Sequence, residues 1–324
     1  MTTTISNPRK LQRQFIAHVE GATATHVITS PMSLELNITL ANWQSVSEGE
    51  FTFYNLAEST RQDIYQDWND QAEAIGGYRR MKLWAGYLSW VPESRQPLPA
   101  ESNVGYYPLI FDGLIRKAYN TRQGPNWMTT ILPWDGGFEM NQSQVSNTFP
   151  KGQTFIQRVN YLAAQLQGIS VGYVDQSLGN SSQYSKYVSR GVSYVGSPWD
   201  YLRTMAYAIG SDIYIQFGKL YMLPKNKTLP SAVLPQFASL STINGDSGLL
   251  NTPTKQKFYV SFDMIFEPRL FVGQSITLNS EDKENNGTYT LAGVNHRGII
   301  SDGASGDLIT TPSLWYGGPT GGTL

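Results

Sequence analysis

The residues Ser33-Leu34-Glu35-Leu36-Asn37-Ile38-Thr39-Leu40 alternate strictly between polar and apolar side chains. A period of two places every apolar side chain on one face, which is the pattern of a β-strand with one buried and one solvated face. Lys257–Met264 repeats this alternation. Four further stretches also read as strands: Met81–Trp90, Leu109–Ala118, Met128–Leu132 and Ser275–Leu278. The chain is therefore predicted to be mainly β.

Turn residues between the apolar stretches support antiparallel pairing. Asn286-Gly287 is a favoured pair for a type I′ turn and predicts a hairpin that leads into Thr288–Val294. Gly218-Lys219 predicts a second hairpin, which joins Asp212–Phe217 to Leu220–Leu223. Strands at this spacing favour barrels or sandwiches over a parallel sheet.

Three helices are predicted to interrupt the strands, over residues 60–75, 154–167 and 198–209. Thr60 with Asp63 resembles a capping box at the first start, and Ser197-Pro198 is a favoured start for the third helix. Gly168 and Gly210 are predicted to end the second and third helices. In both of these cases the order is helix, glycine and strand, which indicates a small repeat in the middle of the chain.

The pattern divides the chain of 324 residues into five parts. We predict an N-terminal arm over 1–24, a first β unit with one helix over 25–145, a middle helix–strand region over 146–226, a second β unit over 227–316 and a flexible Gly-rich tail over 317–324. Each β unit is long enough for one small antiparallel barrel.

Composition excludes several classes of function. The chain has 24 basic and 25 acidic residues, and a formal net charge of -1 predicts no electrostatically driven binding of nucleic acid. It contains no cysteine, which excludes disulfides and thiolate metal sites. No stretch resembles a signal peptide or a membrane-spanning helix, so stable membrane association is not expected. We also expect no cofactor.

Two serine motifs resemble hydrolase sites, but their surroundings do not fit. Gly168-Ile169-Ser170-Val171-Gly172 matches G-x-S-x-G, yet a helix precedes the serine and a strand follows it, which is the reverse of a nucleophile elbow. Gly245-Asp246-Ser247-Gly248 lacks a supported upstream histidine. Both are predicted to be turns.

No other constellation predicts catalysis or metal binding. His18, His26 and His296 lack the spacing of a zinc site. The loop Glu281–Glu284 lacks the spacing of an EF-hand and is predicted to be a solvated hairpin connection. The chain is accordingly not expected to be an enzyme.

Several short stretches, in order, resemble a known family. They are Phe53-Tyr54-Asn55-Leu56 with Thr60-Arg61, Thr148–Thr154, Gly218–Tyr221, Ser247–Pro253, Phe266–Leu270 with Gly273, Gly287-Thr288-Tyr289, His296-Arg297-Gly298 and Gly306-Asp307. Together they resemble the baseplate hub, or tail-tip hub, proteins of tailed bacteriophages, over about residues 50–311. The resemblance implies two small tail-tube-like antiparallel β-barrels joined by helix–strand units.

The resemblance also implies a role in the virion tail. Hubs of this kind are homotrimers, in which two barrels per chain form a pseudo-six-fold ring that adapts the six-fold tail tube to a three-fold spike and leaves a lumen for DNA. Implied partners are the tail tube protein, the central spike protein, other baseplate proteins and, as an additional candidate, the tape measure protein. Such a protein is made in the cytoplasm of the host bacterium and resides at the tail tip.

From these motifs we predict Phe53, Tyr54, Glu267, Arg269 and Leu270 as residues of the subunit or tube interface. Two alternatives remain open. One is a carbohydrate-binding tail module with aromatic platforms such as Trp127 and Trp134. The other is a tail-associated peptidoglycan hydrolase with Asp263 or Glu267 as general acid.

Overall fold

Strands dominate the first part of the chain. The computed structural model describes residues 10–42, 46–66, 78–96, 100–180, 190–225, 227–301 and 306–316. The first β unit contains β1 (Arg13–Glu20), β2 (Thr25–Thr29), β3 (Leu34–Ala41), β4 (Ser47–Tyr54), helix α1 (Glu58–Ile64), β5 (Arg80–Tyr87), β6 (Leu109–Gln123) and β7 (Asn126–Asp135). Short 3-10 helices span Leu88–Trp90, Glu93–Arg95 and Ala100–Tyr106.

Helices and short strands alternate in the middle region. Its elements are α2 (Gly137–Gln142), β8 (Val145–Phe149), α3 (Phe155–Ala164), β9 (Ser170–Val174), β10 (Val192–Gly196), α4 (Pro198–Ala208), β11 (Ser211–Gln216) and β12 (Lys219–Pro224), with a 3-10 helix at Gln176–Asn180. Strands β8 and β10 pair with each other, and β12 lies between β11 and β9. The two strands of the predicted repeat, β9 and β11, thus flank the same partner.

The second β unit is built from shorter strands. They are β13 (Thr242–Ile243), β14 (Thr254–Lys255), β15 (Tyr259–Ser261), β16 (Met264–Ile265), β17 (Ser275–Leu278), β18 (Gly287–Ile300) and β19 (Leu308–Trp315), with 3-10 helices at Gly245–Ser247 and Lys283–Asn285. The expectation of a mainly β chain is confirmed. No helix among the described residues has the length and apolar character needed to cross a bilayer.

The two β units share one sheet. Its strand order is β14-β15-β19-β18-β3-β4-β7-β6-β5-β1-β2. The units meet where β18 runs antiparallel to β3, from Gly293 opposite Ala41 to Ile300 opposite Leu34. The sequence predicted two β units but gave no sign of this shared seam.

Strand β3 shows why one side of this sheet faces the core. Leu34, Leu36 and Ile38 are buried, whereas Glu35 and Asn37 between them are exposed. Burial of each such aliphatic side chain contributes about 1.5–3 kcal/mol. The buried side chains form three main apolar cores: one centred on the first unit that also includes residues of the other two parts, a second in the middle region and a third in the second unit.

Several predicted local structures are confirmed. Thr154 accepts from the amide of Gln157, whose side chain accepts from the amide of Thr154, so a capping box starts α3. Ser197 caps α4, with Pro198 in the first position. Gly168 and Gly210 have positive φ beyond the two helices. The hairpin β11–β12 is also present, and its turn residues are Phe217 and Gly218.

Three local predictions are corrected. The arm over 1–24 contains strand β1, because its alternating residues Phe15, Ala17 and Val19 are buried. The N-cap position of helix α1 is Ala57 rather than Thr60, and its side chain makes no capping hydrogen bond. Residues 67–75 of the predicted helix lie outside the described residues. Asn286 is extended, so Asn286-Gly287 does not form a type I′ turn.

The reason for the last correction is that the Asn286 side chain organises a longer loop. Its amide oxygen accepts from the backbone amide and from the hydroxyl of Ser280. The connection from β17 to β18 therefore spans Asn279–Asn286, and Glu281–Glu284 lie within it, as predicted for a hairpin connection. The predicted tail over 317–324 lies outside the described residues.

Candidate functional site

The five residues predicted for an interface do not form one surface. Phe53 is fully buried within the core of the first β unit. Glu267, Arg269 and Leu270 are also buried within the chain. Within the single chain these four side chains belong to the interior, and their place in a subunit or tube interface stays a prediction. Tyr54 alone is partly exposed, and its hydroxyl donates to Glu35 Oε2 at 2.8 Å.

Glu267 instead forms the centre of a buried ion-pair cluster. Arg269 donates from Nε to Oε1 and from Nη2 to Oε2 of Glu267, each at 2.7 Å. Lys10 Nζ lies 3.2 Å from Oε2 and also donates to the carbonyl of Ser247. Such a bidentate guanidinium–carboxylate pair is strong and fixes the geometry of both groups. The cluster joins the segment that leads into β1 to the second β unit.

Further polar contacts surround the cluster. The hydroxyl of Tyr87 donates to the carbonyl of Phe266 at 2.8 Å. The amide of Glu267 donates to Thr310 Oγ1, which lies 2.8 Å from Nδ1 of the buried His296. Thr310 Oγ1 either donates to Nδ1 or accepts from it, depending on the tautomer of His296. Burial lowers the pKa of His296 to about 4.

The cluster does not suit general acid catalysis. Burial acts to raise the pKa of Glu267, but the bonds from Arg269 and the charge of Lys10 outweigh it and hold the pKa below its ordinary value. A general acid needs a raised pKa. Asp263, the other carboxylate considered for hydrolysis, accepts from Thr311 Oγ1 and from the amide nitrogen of Asn251. Glu267 is therefore not poised to donate a proton.

A second buried carboxylate holds the middle region against the first β unit. Asp135, the last residue of β7, accepts from the backbone amides of Phe217 and Gly218 at the turn of the hairpin β11–β12. Burial raises the pKa of Asp135 to about 7, although these two amides act to lower it. The sequence does not reveal this contact, because Asp135-Gly136-Gly137 has the composition of an ordinary turn.

A cavity of about 460 Å³ opens where the three parts of the chain meet. Most of its wall is apolar: Trp84, Tyr107, Leu109, Phe217, Tyr221, Pro235, Phe237, Pro268, Leu270 and Phe271. Asp112, Lys219 and Arg269 supply the charges. Arg80 and Lys82 lie against Asp112, and Glu267 neutralises Arg269, so the cavity has no cluster of unpaired charge.

The serine motifs and the histidines have structural roles. Ser170 begins β9 after α3, and Ser247 is buried in a capping box with Asn244, to whose carbonyl its hydroxyl donates. His26 contacts Asp63 at 2.7 Å. Within the described ranges no group of three histidine or carboxylate side chains could hold a metal ion.

The two tryptophans considered for glycan binding each have a guanidinium over the ring. Arg61 lies 4.0 Å from the ring centroid of Trp127, and Arg116 lies 4.1 Å from that of Trp134. Phe138 also packs against Trp134, at 5.5 Å between centroids. A sugar stacks on an uncovered face of an aromatic ring. These contacts cover part of both tryptophan rings and so leave less area for a sugar.

Comparisons with solved structures agree with the fold. The chain resembles the 43 kDa tail protein of prophage MuSo2 from Shewanella oneidensis at 10% identity, with a TM-score of 0.55 and coverage of 93% of this chain and 97% of that one. The tail protein from Neisseria meningitidis MC58 matches at 9% identity and a TM-score of 0.55, covering 94% and 97%. The Francisella PdpA–VgrG complex matches at 7% identity and 0.52, covering 94% of this chain and 58% of that one.

Sequence comparison identifies the family. No curated protein matches the chain. The family described as baseplate hub gp41, however, matches residues 15–297, which is most of the chain. This range starts in β1, includes the seam between β3 and β18 and ends within β18. The chain therefore belongs to the baseplate hub gp41 family.

Proposed function

We propose that the chain is the structural hub of a phage or phage-like tail baseplate and that it works as a homotrimer without catalytic activity. Each subunit supplies two β units, so three subunits form a ring of six. One side of the ring mates with a six-fold tail tube, and the other holds a three-fold spike. DNA passes through the lumen.

The observation that carries this proposal is the main path of strands in the single sheet, whose two end strands have one partner each. Among the described strands, β2 pairs only with β1, and β14 pairs only with β15. An exposed strand edge is a template for pairing with another chain. Because the two edges differ, contact between them is head-to-tail, and such contacts close into rings when the rotation between subunits permits.

The solvated face of the sheet fits a channel for DNA. On β3 and β4 it presents Glu35, Asn37, Thr39, Glu48 and Glu50. None of these three glutamates forms an ion pair with a described residue. A wall of carboxylates, amides and hydroxyls does not bind phosphates electrostatically, so DNA can slide past it.

Partners follow from the same role. The hub contacts the tail tube protein, the central spike protein and other baseplate proteins, with the tape measure protein as a further candidate. The similarity to tail proteins and to VgrG in its complex with PdpA supports association with other tail components. The protein resides at the tail tip of the virion after synthesis in the host cytoplasm.

Light scattering of the purified chain tests the proposal, alone and mixed with its tube and spike proteins. We expect a mass of three times the 36.1 kDa chain. Val27→Lys places a charge on the free edge of β2, where Val27 is 47% exposed, and is expected to shift the mass toward the monomer. Val195→Lys, at a 71% exposed position on β10, is the matched control and should keep the trimer. A wild-type monomer in every mixture contradicts the proposal.

A further inference from the structure

Arg61 on α1 is a buried cation without a counter-ion in the described part of the chain. It is 7% exposed, and its Nε has no hydrogen-bond partner. Its guanidinium forms no ion pair with any described carboxylate, including Glu58 one turn earlier on the same helix. Buried charges in folded proteins are normally paired, because an unpaired one costs several kcal/mol. Among the residues that the structure describes, no anion therefore pairs with this guanidinium.

Arg61 belongs to a stack at the tip of the hairpin β6–β7. Its guanidinium lies 4.0 Å from the ring centroid of Trp127, and that of Arg122 lies 5.8 Å from the same ring. Arg122 donates to the carbonyl of Gly124 but pairs with no described carboxylate. Trp127 is 37% exposed. The tip thus combines two cations with an accessible aromatic ring.

Backbone contacts hold the stack in place. The amide of Asn55 donates to the carbonyl of Trp127 at 2.8 Å, and the amide of Trp127 donates to Asn55 Oδ1 at 3.0 Å. The side chain of Asn120 donates to the carbonyl of Arg61 at 3.1 Å. A site fixed in this way loses little conformational entropy when it binds a ligand.

The stack lies at the end of the first β unit that is remote from the middle region. Where β4 pairs with β7, Tyr54 lies opposite Met128, next to the stack, and Ser47 lies opposite Asp135 at the other end. Asp135 is the residue that holds the hairpin β11–β12. The tip therefore lies at the opposite end of β4 and β7 from the contact that holds the hairpin β11–β12.

We propose that the Arg61–Trp127–Arg122 stack docks a carboxylate-bearing segment of another tail protein, at the end of the hub opposite the middle region. This assignment of a partner surface rests on the proposed hub function. Arg and Trp are the residues that dominate binding energy in protein interfaces, and a guanidinium recognises a carboxylate with two parallel bonds. The carboxylates on the solvated face of β3 and β4, together with the net charge of -1, disfavour nucleic acid as the ligand.

A second copy of the chain fits the stack less well. The acidic stretch that could complement it, Glu281–Glu284, precedes β18. The first half of β18 lies beside the C-terminal end of β3, where Gly293 is opposite Ala41. The stack lies near the other end of β3, where Leu34 is opposite Phe53. In a planar ring of copies the acidic loop and the stack therefore face opposite sides.

Fluorescence anisotropy with a labelled hexaglutamate peptide tests the docking site, with hexathymidylate as the comparison probe. We expect the wild-type chain to bind the peptide at low salt and Arg61→Met to weaken that binding at least tenfold. Arg203→Met, at an exposed arginine of α4, is the matched control and should bind like the wild type. The denaturation midpoint of Arg61→Met should equal or exceed that of the wild type, because the variant removes an unpaired buried charge.

Three results overturn the proposal: no peptide binding by the wild type, a less stable Arg61→Met that binds the peptide unchanged, or preference for hexathymidylate over hexaglutamate. The second result would show that Arg61 stabilises the fold and does not contribute to peptide binding. Because the stack is complete within one chain, the peptide result does not depend on trimer formation. Light scattering of the same samples reports separately on the hub function.

Discussion

At the scale of single residues, Glu267 holds distant parts of the chain together. Its carboxylate receives two bonds from Arg269, and Lys10 approaches it from the segment that leads into β1. Arg13, in β1, reaches the carbonyl of Gly306 beyond β18. These contacts connect the start of the chain with its second β unit, so loss of the central carboxylate should destabilise the folded state.

We predict that Glu267→Gln lowers the free energy of unfolding by about 3–5 kcal/mol, the usual cost of removing one partner from a buried ion pair. Arg269 then remains buried, and Lys10 half-buried, without a compensating charge. Urea denaturation at neutral pH measures the change. Glu281→Gln, in the exposed loop before β18, is the control and should change the value by less than about 0.5 kcal/mol. Equal effects of the two substitutions would show that the cluster contributes no stability.

The sequence indicated Glu267 and Arg269 as noteworthy but could not show that they are buried within the chain. A motif of Glu-Pro-Arg-Leu carries no information about burial, and the partner Lys10 is remote in the chain. The burial of Phe53 was not predictable for a related reason. Its position in an alternating strand could not show that this strand lies inside the sheet, with a partner on each side.

At the scale of elements, the hairpin β11–β12 docks through its turn. Asp135 accepts both amides of Phe217 and Gly218, and both turn residues have positive φ. One buried carboxylate thus fixes the position of an entire hairpin relative to the first β unit. Its protonation state should couple the docking of the hairpin to pH.

We predict that the contribution of Asp135 to stability is largest at pH 4 and is lost as pH rises to about 7. Its folded pKa, about 7, lies above the ordinary value of 3.8 because of burial. Between these values the native carboxyl keeps its proton while the unfolded one ionises, so the free energy of unfolding falls with pH. A difference of about 3 pKa units corresponds to about 4 kcal/mol.

Denaturation of the wild type and of Asp135→Asn between pH 4 and pH 8 measures this contribution. The difference between the two proteins isolates Asp135, because they share the other titrating groups. Among these is His296, whose lowered pKa acts in the opposite direction between about 4 and 6.5. Parallel profiles for the two proteins would contradict the prediction.

Local signals predicted elements well where the deciding contacts are local. Thr154 with Gln157 and Ser197 with Pro198 start the two helices of the middle region as expected, because capping involves residues within one turn. The type I′ turn predicted at Asn286-Gly287 was wrong. The side chain of Asn286 accepts a hydrogen bond from Ser280 within a longer loop, and its backbone is extended. A dipeptide rule cannot include that longer contact.

At the scale of the whole molecule, the seam between β3 and β18 makes the two β units parts of one structure. We predict that the central amides of both strands exchange with solvent only through global unfolding, with opening free energies within about 1 kcal/mol of each other. Hydrogen–deuterium exchange measured by mass spectrometry, with peptides covering residues 34–41 and 293–300, tests this. A markedly lower opening free energy for β18 than for β3 would show that the second unit unfolds by itself.

The sequence predicted the number of β units but not their union. Alternation identifies which face of a strand is buried, yet it does not identify the neighbouring strand, and β3 and β18 are distant in the chain. The stack at Arg61 was equally invisible, because it depends on a helix, a hairpin and the turn after β4 coming together.

The seam also has a consequence for biosynthesis. During translation β3 leaves the ribosome long before β18, so the nascent first unit has an open edge on β3 until nearly the whole chain has been made. Such an edge is a site of premature association between nascent chains. Chains truncated before β18 should therefore accumulate as aggregates.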